Sequence, residues 1–226
     1  MVLYTFHTHY IIINFNRIII YLRGFSMGLS KQAKVLSKSQ IESVRSYLRS
    51  NRNGLRNETI FLLSVKSGLR SKEISGLRWI HLLKSDITLD DSISLPNDVS
   101  KGSNGGRVIP IHKDLKKNLG LLLQEHQKKQ RFDPLTNFVI PTERSSNTSP
   151  QMITNFFHSL YRKLGMIGCS SHSGRRTFIT EVARKISTVG GSLRDVQYLA
   201  GHSSLQTTQR YIEGNSESKE KVIQLI

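Results

Sequence analysis

A histidine and a tyrosine near the C-terminal end of the sequence have the types and spacing of a catalytic pair. The stretch GHSSLQTTQRYIEG, residues 201–214, places His202 nine positions before Tyr211, and Arg210 directly precedes the tyrosine. A phenol has an ordinary pKa of about 10, so it attacks an electrophile only when a base or a positive field promotes loss of its proton. A helix–turn–helix that only packs is the alternative interpretation of this stretch.

Four further side chains could bind or protonate an anion. Arg70 follows a Gly-Leu pair, and Lys101 begins the glycine-rich turn KGSNGG. His172 and Arg175 are three positions apart in HSGRRTF, which places both on one side of a helix that begins there. Taken singly, each also fits a structural role, such as an arginine that caps helix carbonyls or a solvated lysine. Only the combination indicates chemistry.

The charge of the chain indicates a polyanionic partner. The 226 residues include 33 Lys and Arg against 16 Asp and Glu, a formal net charge of +17. Such a surface attracts nucleic acid, although a generally basic or ribosome-like protein would show the same imbalance. The single cysteine, Cys169, excludes an intrachain disulfide and a cysteine-based zinc site, and it suits a reducing cytoplasm.

Helices are predicted on both sides of a short β region. A capping box at Ser37–Gln40 begins the first helix, Asn57 caps a second one that stops at Gly68, and Glu73–Leu77 forms a short third. Apolar spacing predicts later helices over 113–129, 151–164, 175–186, 192–199 and 204–213.

The β region shows alternating residues on both sides of the glycine-rich turn. DITLD (86–90), SISL (92–95) and RVIPI (107–111) are predicted strands, and NFVI (137–140) is a further short one. The fold class is therefore α+β: a mostly helical domain with a small antiparallel β-sheet.

The N-terminal segment differs in composition from the rest. The stretch from Tyr10 to Leu22 is apolar but interrupted by polar residues, and it is too short to span a bilayer. We leave open whether it adds a strand or a helix. We expect residues 1–30 to be a non-native or weakly ordered extension, with Met27 as the natural start, and residues 31–226 to form the functional domain.

In combination, the candidate catalytic residues resemble those of the tyrosine recombinase (phage integrase) family. SGLRSKEISGLRW is similar to the first-arginine box, with Arg70 as the catalytic arginine and Glu73 at an acidic position. KGSNGGRVIPI resembles the β-hairpin that carries the catalytic lysine, Lys101. HSGRRTFIT resembles the H-x-x-R box of His172 and Arg175, and LAGHSSLQTTQRYIEG the terminal box of His202 and Tyr211.

The resemblance implies site-specific DNA cleavage and rejoining by a tyrosine recombinase catalytic domain. Tyr211 would form a 3′-phosphotyrosyl link, His172 would handle its proton, and Lys101 would protonate the leaving 5′ oxygen. Arg70 and Arg175 would hold the phosphate oxygens, and His202 would orient the phosphate. No cofactor and no metal are expected, because arginines would take the place of a metal ion.

The resemblance also implies partners. We expect double-stranded DNA, a homotetramer on DNA, and an accessory DNA-binding protein as a further possibility, with no membrane association and a cytoplasmic, nucleoid-associated location. The apolar tail Val222–Ile226 would pack on a neighbouring protomer or back on its own domain. Further basic residues are expected to bind backbone phosphates: Lys113, Lys116, Lys117, Lys128, Lys129, Arg162, Lys163, Arg176 and Arg184.

Two departures from the family pattern leave alternatives open. Gly174 stands where the family's H-x-L-R box has leucine, and too few residues precede the first helix for a separate core-binding domain. The missing front domain leaves open a non-catalytic DNA-binding protein derived from an integrase. A type IB-like topoisomerase, which uses similar chemistry, is the other alternative.

Overall fold

The computed structural model describes two compact units, Met1–Gln32 and Ala33–Ile226. It describes residues 32–100, 106–143, 145–213 and 223–224, and of residues 3–6, 9–14, 17–19, 212 and 213 the backbone alone. Lys101 and most of the predicted C-terminal tail therefore lie outside the described residues. Within the described part of the chain, no helix has the length and apolar character needed to cross a membrane.

The described residues of the first unit include three short antiparallel strands. They are β1 (Leu3–Phe6), β2 (His9–Asn14) and β3 (Arg17–Ile19), paired in the order β1-β2-β3. Ile12 of β2 lies opposite Leu3 on one side and Ile19 on the other. The described part of the apolar N-terminal stretch is thus extended rather than helical.

The second unit begins with the three predicted helices, but α2 starts earlier than expected. The helices are α1 (Lys38–Arg49), α2 (Gly54–Ser67) and α3 (Ser71–Gly76), and the capping box at Ser37 and Gln40 is present. The prediction that Asn57 caps α2 is wrong. Asn53 is the cap residue, at φ 58°, and the Asn57 N–H donates to the Asn53 carbonyl within the first turn. Asparagine tolerates this left-handed conformation, and that permits the earlier start.

The small sheet contains two of the predicted strands. β4 (Ser92–Leu95) pairs antiparallel with β5 (Arg107–Pro110), and Ile93 lies opposite Ile109. The stretch 86–90 is not a strand, because Ile87 has φ 63° and Asp86 accepts hydrogen bonds from the amide and hydroxyl of Thr88, which makes a turn. The stretch 137–140 contributes only an isolated bridge between Phe138 and Arg78.

The later helices lie close to where apolar spacing predicted them. They are α4 (Lys113–Gln127), α5 (Pro150–Lys163), α6 (Ser173–Lys185), α7 (Leu193–Ala200) and α8 (Leu205–Glu213). Short 3-10 helices cover Trp79–His81 and Ile186–Val189. The structure confirms a mostly helical α+β fold with a small antiparallel sheet.

The core has two parts, and the smaller one supports the C-terminal helices. The larger core centres on α2, where Phe61, Leu62 and Leu63 are fully buried. The smaller core joins Ile179 of α6 to α7, and Tyr211 of α8 packs against it. This smaller apolar cluster therefore joins α6, α7 and α8.

Candidate active site

The C-terminal end of α7 is held by three arginines from distant parts of the chain. Three consecutive backbone carbonyls each accept a hydrogen bond from a different guanidinium. The pairs are Leu199 with Arg107 Nε (3.0 Å), Ala200 with Arg175 Nη2 (2.5 Å) and Gly201 with Arg70 Nη2 (2.9 Å). The last carbonyls of a helix lack donors within the helix, and a positive charge there is favourable. We call Arg70, Arg107 and Arg175 the arginine cluster.

The turn at the end of α2 brings Arg70 and Arg175 together. Gly68 adopts φ +65°, and a Cβ there would lie 3.0 Å from Cε1 of Phe178, so this tight turn requires glycine. Arg70 then becomes the cap residue of α3. Arg175 reaches the same turn from α6, where its Nη1 donates to the Gly68 carbonyl at 2.6 Å.

Glu73 joins two members of the arginine cluster. This fully buried carboxylate accepts hydrogen bonds from Arg107 Nη1 at 2.9 Å and Nη2 at 3.1 Å, and from Arg70 Nη1 at 2.9 Å. The Arg70 backbone N–H also donates to it, at 2.8 Å. Burial by itself raises the pKa of Glu73, but the hydrogen bonds and charges of Arg107 and Arg70 outweigh burial and lower it. Glu73 is therefore ionised at neutral pH.

The cluster holds more positive charge than its carboxylate can neutralise. Three guanidiniums surround one carboxylate, which leaves an excess of two positive charges (3 − 1) among buried or half-buried groups. Burial, and then repulsion from Arg70, lower the pKa of Arg175 to about 9. Like charges gathered out of water favour an anion beside them. The site therefore has the electrostatics of an oxyanion-binding centre.

The turn after α7 presents His202 to Tyr211. Gly201 has φ +58°, and a Cβ there would lie 2.8 Å from Nη1 of Arg107, so the close approach of the arginine also requires glycine. His202 follows directly, and its Nδ1 lies 2.9 Å from the hydroxyl of Thr208 in α8. Its ring stacks on the Tyr211 ring with centroids 5.6 Å apart.

The surroundings of this ring pair are cationic. Burial, followed by the charges of Arg175, Arg70 and Arg107, lowers the pKa of His202 to about 4. The imidazole is therefore neutral at pH 7. The guanidinium carbon of Arg176 also lies 5.7 Å from the Tyr211 ring centroid, within the range of a cation–π contact.

Two of the predicted site residues, His172 and Lys101, have no described side-chain contact with the arginine cluster. His172 is exposed and directly precedes α6, and its carbonyl accepts a hydrogen bond from the Arg176 amide at 2.8 Å. It therefore lies at the start of the helix that carries Arg175, and its role in proton transfer stays a prediction. Lys101 lies outside the described residues, so its role stays a prediction.

Sequence reasoning missed the part that Arg107 has in this site. It treated Arg107 only as the first residue of a strand within the hairpin resemblance. The available signal was the alternation of RVIP, which places Arg107 on the same buried face as Ile109. An arginine on a buried face needs an anionic partner, and that points to a buried carboxylate.

The glycine at position 174 has a packing explanation. A Cβ at Gly174 would lie 2.9 Å from Cβ of Ser64, closer than real Cβ contacts. Helices α2 and α6 therefore approach closely at this pair. The glycine in place of the family's leucine permits this close helix contact. Arg175, the next residue in the chain, still reaches the arginine cluster.

Comparison with known proteins agrees with this arrangement. A family model described as the phage integrase family matches residues 34–218. The chain is 28% identical over 198 residues to tyrosine recombinase XerA of Pyrococcus horikoshii, covering 86% of this chain and 63% of that protein. It is 26% identical over 211 residues to tyrosine recombinase XerC of Rickettsia typhi, covering 88% of this chain and 63% of that one. The chain thus spans less than two thirds of the length of these relatives.

Solved structures with the same fold include recombinases. A crystal structure of XerA recombinase superposes with a TM-score of 0.66 at 21% identity, covering 84% of this chain and 64% of that one. The Tn1549 transposon integrase, in complex with a circular intermediate DNA, gives 0.67 at 18% identity, covering 86% of this chain and 66% of that one. The matched family model, together with a fold that brings the boxes of Arg70, Arg175, His202 and Tyr211 to one place, shows that this chain belongs to the phage integrase family.

Proposed function

We propose that this protein is a site-specific DNA recombinase that cuts and rejoins strands through a covalent 3′-phosphotyrosyl intermediate on Tyr211. One observation carries the proposal: a positively charged arginine cluster lies beside a histidine that stacks on a half-buried tyrosine. A phosphodiester is an anion that resists nucleophilic attack. A cluster of this kind binds such an anion and places a nucleophile next to it.

Arg70 and Arg175 are the proposed phosphate ligands. A guanidinium has five N–H donors, and the hydrogen bonds described above use two of them in each residue. These bonds fix the planes of both guanidiniums before DNA arrives. Donors held in place where negative charge develops commonly contribute several kcal/mol to transition-state stabilisation.

The proposed reaction exchanges one phosphate ester for another. The Tyr211 oxygen forms a bond to phosphorus as the bond from phosphorus to the 5′ oxygen breaks. His172 takes the phenolic proton, and Lys101 gives a proton to the leaving 5′ oxygen. The new ester retains the bond energy, so a 5′ hydroxyl from another strand can reverse the step and complete strand exchange.

The neutral imidazole of His202 suits it to donate a hydrogen bond to the phosphate. When Nδ1 accepts from the hydroxyl of Thr208, the ring proton resides on Nε2. A neutral donor adds no further repulsion to a cluster that is already cationic. We therefore propose that His202 orients the phosphate and does not titrate during the reaction near pH 7.

Double-stranded DNA is the proposed partner, bound by residues 31–226 as the catalytic domain. The net charge of +17 favours this, and the similar Tn1549 integrase is described in complex with DNA. Strand exchange pairs two cleaved duplexes, so we propose a homotetramer on DNA, with an accessory DNA-binding protein as a further partner. The site of action would be the nucleoid.

Covalent capture on nicked duplexes tests this function. The probes are oligonucleotides from DNA flanking the gene, each with a nick beside the candidate cleavage position. Cleavage then releases a short fragment with a free 5′ hydroxyl, which diffuses away, so the adduct accumulates. Wild type is expected to give a protein–DNA adduct on denaturing gels, and Tyr211→Phe none. An adduct that persists in Tyr211→Phe would contradict the assignment of the nucleophile.

The same preparations separate the two alternatives. A DNA-binding protein without catalysis would shift DNA on native gels and form no adduct. Its affinity for DNA would be the same in wild type and in Arg70→Ala. A topoisomerase of the type IB kind would relax supercoiled plasmid without a specific sequence. Cleavage confined to one sequence would distinguish the proposed recombinase from both.

A further inference from the structure

We propose that Arg107 is a positioning residue of this site, which acts through Glu73 to fix Arg70 and the turn that carries His202. The inference rests on the proposed function for its catalytic meaning. Arg107 itself is 4% exposed, so it lies beneath the site rather than facing DNA. Its effect on a phosphate would be exerted through the groups that it holds.

The first connection runs from Arg107 to Arg70. Two nitrogens of Arg107 bind the two oxygens of Glu73, and this paired geometry fixes the plane of the carboxylate. The same two oxygens accept from the Arg70 guanidinium and the Arg70 amide. Without Arg107, the carboxylate could rotate about its last bond, and the Arg70 guanidinium would lose its fixed direction.

The second connection runs from Arg107 to the turn after α7. Its Nε donates to the Leu199 carbonyl, and its guanidinium packs against Gly201, where a Cβ would be 2.8 Å away. Gly201 directly precedes His202 in the chain. Arg107 therefore supports both a proposed phosphate ligand and the turn that presents the imidazole to Tyr211.

A matched control lies elsewhere in the same unit. Glu58 of α2 is 2% exposed and is shared by Arg45 and Arg49, as Glu73 is shared by Arg107 and Arg70. Arg45 donates from Nε to Glu58 at 2.9 Å. Among the described residues, Arg45 pairs with Glu58, Glu42 and Asp114 and with no member of the arginine cluster. Removing Arg45 therefore breaks a comparable buried ion pair away from the site.

Single-turnover cleavage at saturating nicked duplex is the first test. Arg107→Met is expected to lower the cleavage rate about 100-fold, since small misplacements of reacting groups have effects of this size, with little change in DNA affinity. Arg107→Lys is expected to recover part of the rate, because it restores a cation beside Glu73. Arg45→Met is expected to keep the wild-type rate. An equal loss of rate in Arg45→Met and Arg107→Met would overturn the proposal.

The pH dependence of cleavage separates positioning from general destabilisation. The charged groups that act on Glu73 are Arg70 beside it and Arg107 from β5, and Arg175 from α6 is close enough for its own pKa to respond to Glu73. His202, in the turn after α7, responds to the same three arginines. Removing Arg107 raises the pKa of Glu73. The acid limb of the rate profile of Arg107→Met should therefore move to higher pH than in wild type, and this shift should vanish when Glu73→Gln is added. A profile that keeps the wild-type shape contradicts the proposal.

A measurement without DNA keeps the inference separate from the proposed function. In wild type, the Arg70 guanidinium bonded to Glu73 and Gly201 should give NMR signals split by hindered rotation, assigned with Arg70→Lys. Arg107→Met should collapse this splitting, whereas Arg45→Met should preserve it. If wild type forms no adduct, the proposed function fails, and the NMR result still decides whether Arg107 orders Arg70. Unchanged Arg70 signals in Arg107→Met would overturn the inference.

Discussion

His202 and Tyr211 lie ring against ring, with 5.6 Å between their centroids and 26° between their planes. The imidazole belongs to the turn after α7, and three arginines hold the carbonyls at the C-terminal end of that helix. The phenol belongs to the next helix. The stack therefore connects the proposed nucleophile to the groups that would bind the phosphate.

The ring contacts of Tyr211 should contribute to stability independently of its hydroxyl. Tyr211→Phe keeps the ring that stacks on His202 and lies beside Arg176, so its free energy of unfolding should stay within about 0.5 kcal/mol of wild type. Tyr211→Ala removes the ring and should cost about 1–3 kcal/mol. Chemical denaturation of the three proteins measures both values. A large loss in Tyr211→Phe would show that the hydroxyl has a structural role.

The planar guanidinium geometry of Arg175 should matter more to stability and cleavage than its positive charge. Its two nitrogens reach carbonyls on different elements, Gly68 after α2 and Ala200 at the end of α7. The single ammonium of Arg175→Lys cannot reproduce this fork, so we expect a loss of about 1–3 kcal/mol in stability and at least about a 100-fold loss in adduct formation.

Arg184→Lys is the matched substitution for this prediction. Arg184 is exposed on the same helix, where it pairs with Glu181 at 3.5 Å. Stability should remain near wild type because exposed pairs contribute little. Adduct formation should also remain near wild type, because the lysine keeps the positive charge expected to contact a backbone phosphate. Full activity in Arg175→Lys would remove this residue from the proposed phosphate site.

The contact between α2 and α6 should exclude a side chain at position 174. In Gly174→Ala the new Cβ would meet Ser64, and we expect a loss of about 1–3 kcal/mol in stability from overpacking. Ser64→Gly in the same chain should recover part of that loss, which a double-mutant cycle on unfolding free energies would measure. Gly120 of α4 has nothing within 4 Å of its Cβ position, so Gly120→Ala should stabilise by up to about 1 kcal/mol.

The stability of the fold should decrease in mild acid because of a buried histidine. His126 is 6% exposed and accepts a hydrogen bond at Nδ1 from the indole of Trp79 at 2.9 Å. Burial, with a smaller contribution from Lys129, lowers its pKa to about 4, whereas an unfolded chain has a histidine pKa near 6.5. Between these values the unfolded chain binds a proton that the folded chain does not. The unfolding free energy should therefore fall as pH decreases from about 6.5 to about 4, by about 3 kcal/mol on account of this group.

Denaturation at a series of pH values checks this expectation. In His126→Gln the fall between these pH values should become shallower, since the substituted side chain does not titrate. His158 is exposed on α5, and His158→Gln should leave the slope as in wild type. Identical slopes in wild type and His126→Gln would show that His126 is not the responsible group.

The local elements of this protein could be predicted because each depends on neighbours in the chain. The capping box of Ser37 and Gln40, the helix end at Gly68 and the strand Ser92–Leu95 all follow from short-range spacing. The errors arose where a local pattern had a competing local solution. At Asp86–Asp90 the alternation of residues is typical of a strand. The Asp86 carboxylate, however, accepts hydrogen bonds from the amide and hydroxyl of Thr88, and these bonds favour a turn.

The candidate site also has one part that the sequence predicted and another that only the structure revealed. Residue types and order indicated Arg70, Lys101, His172, Arg175, His202 and Tyr211 through a family resemblance, which carries no distances. The sequence by itself thus determined the charge, the chemical groups and most helices. Only the tertiary structure decided that Glu73 joins Arg107 to Arg70 and that three arginines bind consecutive carbonyls at the end of α7 and in the turn after it. These contacts join residues up to 131 positions apart, and long-range pairing depends on how helices pack rather than on the spacing of residues along the chain.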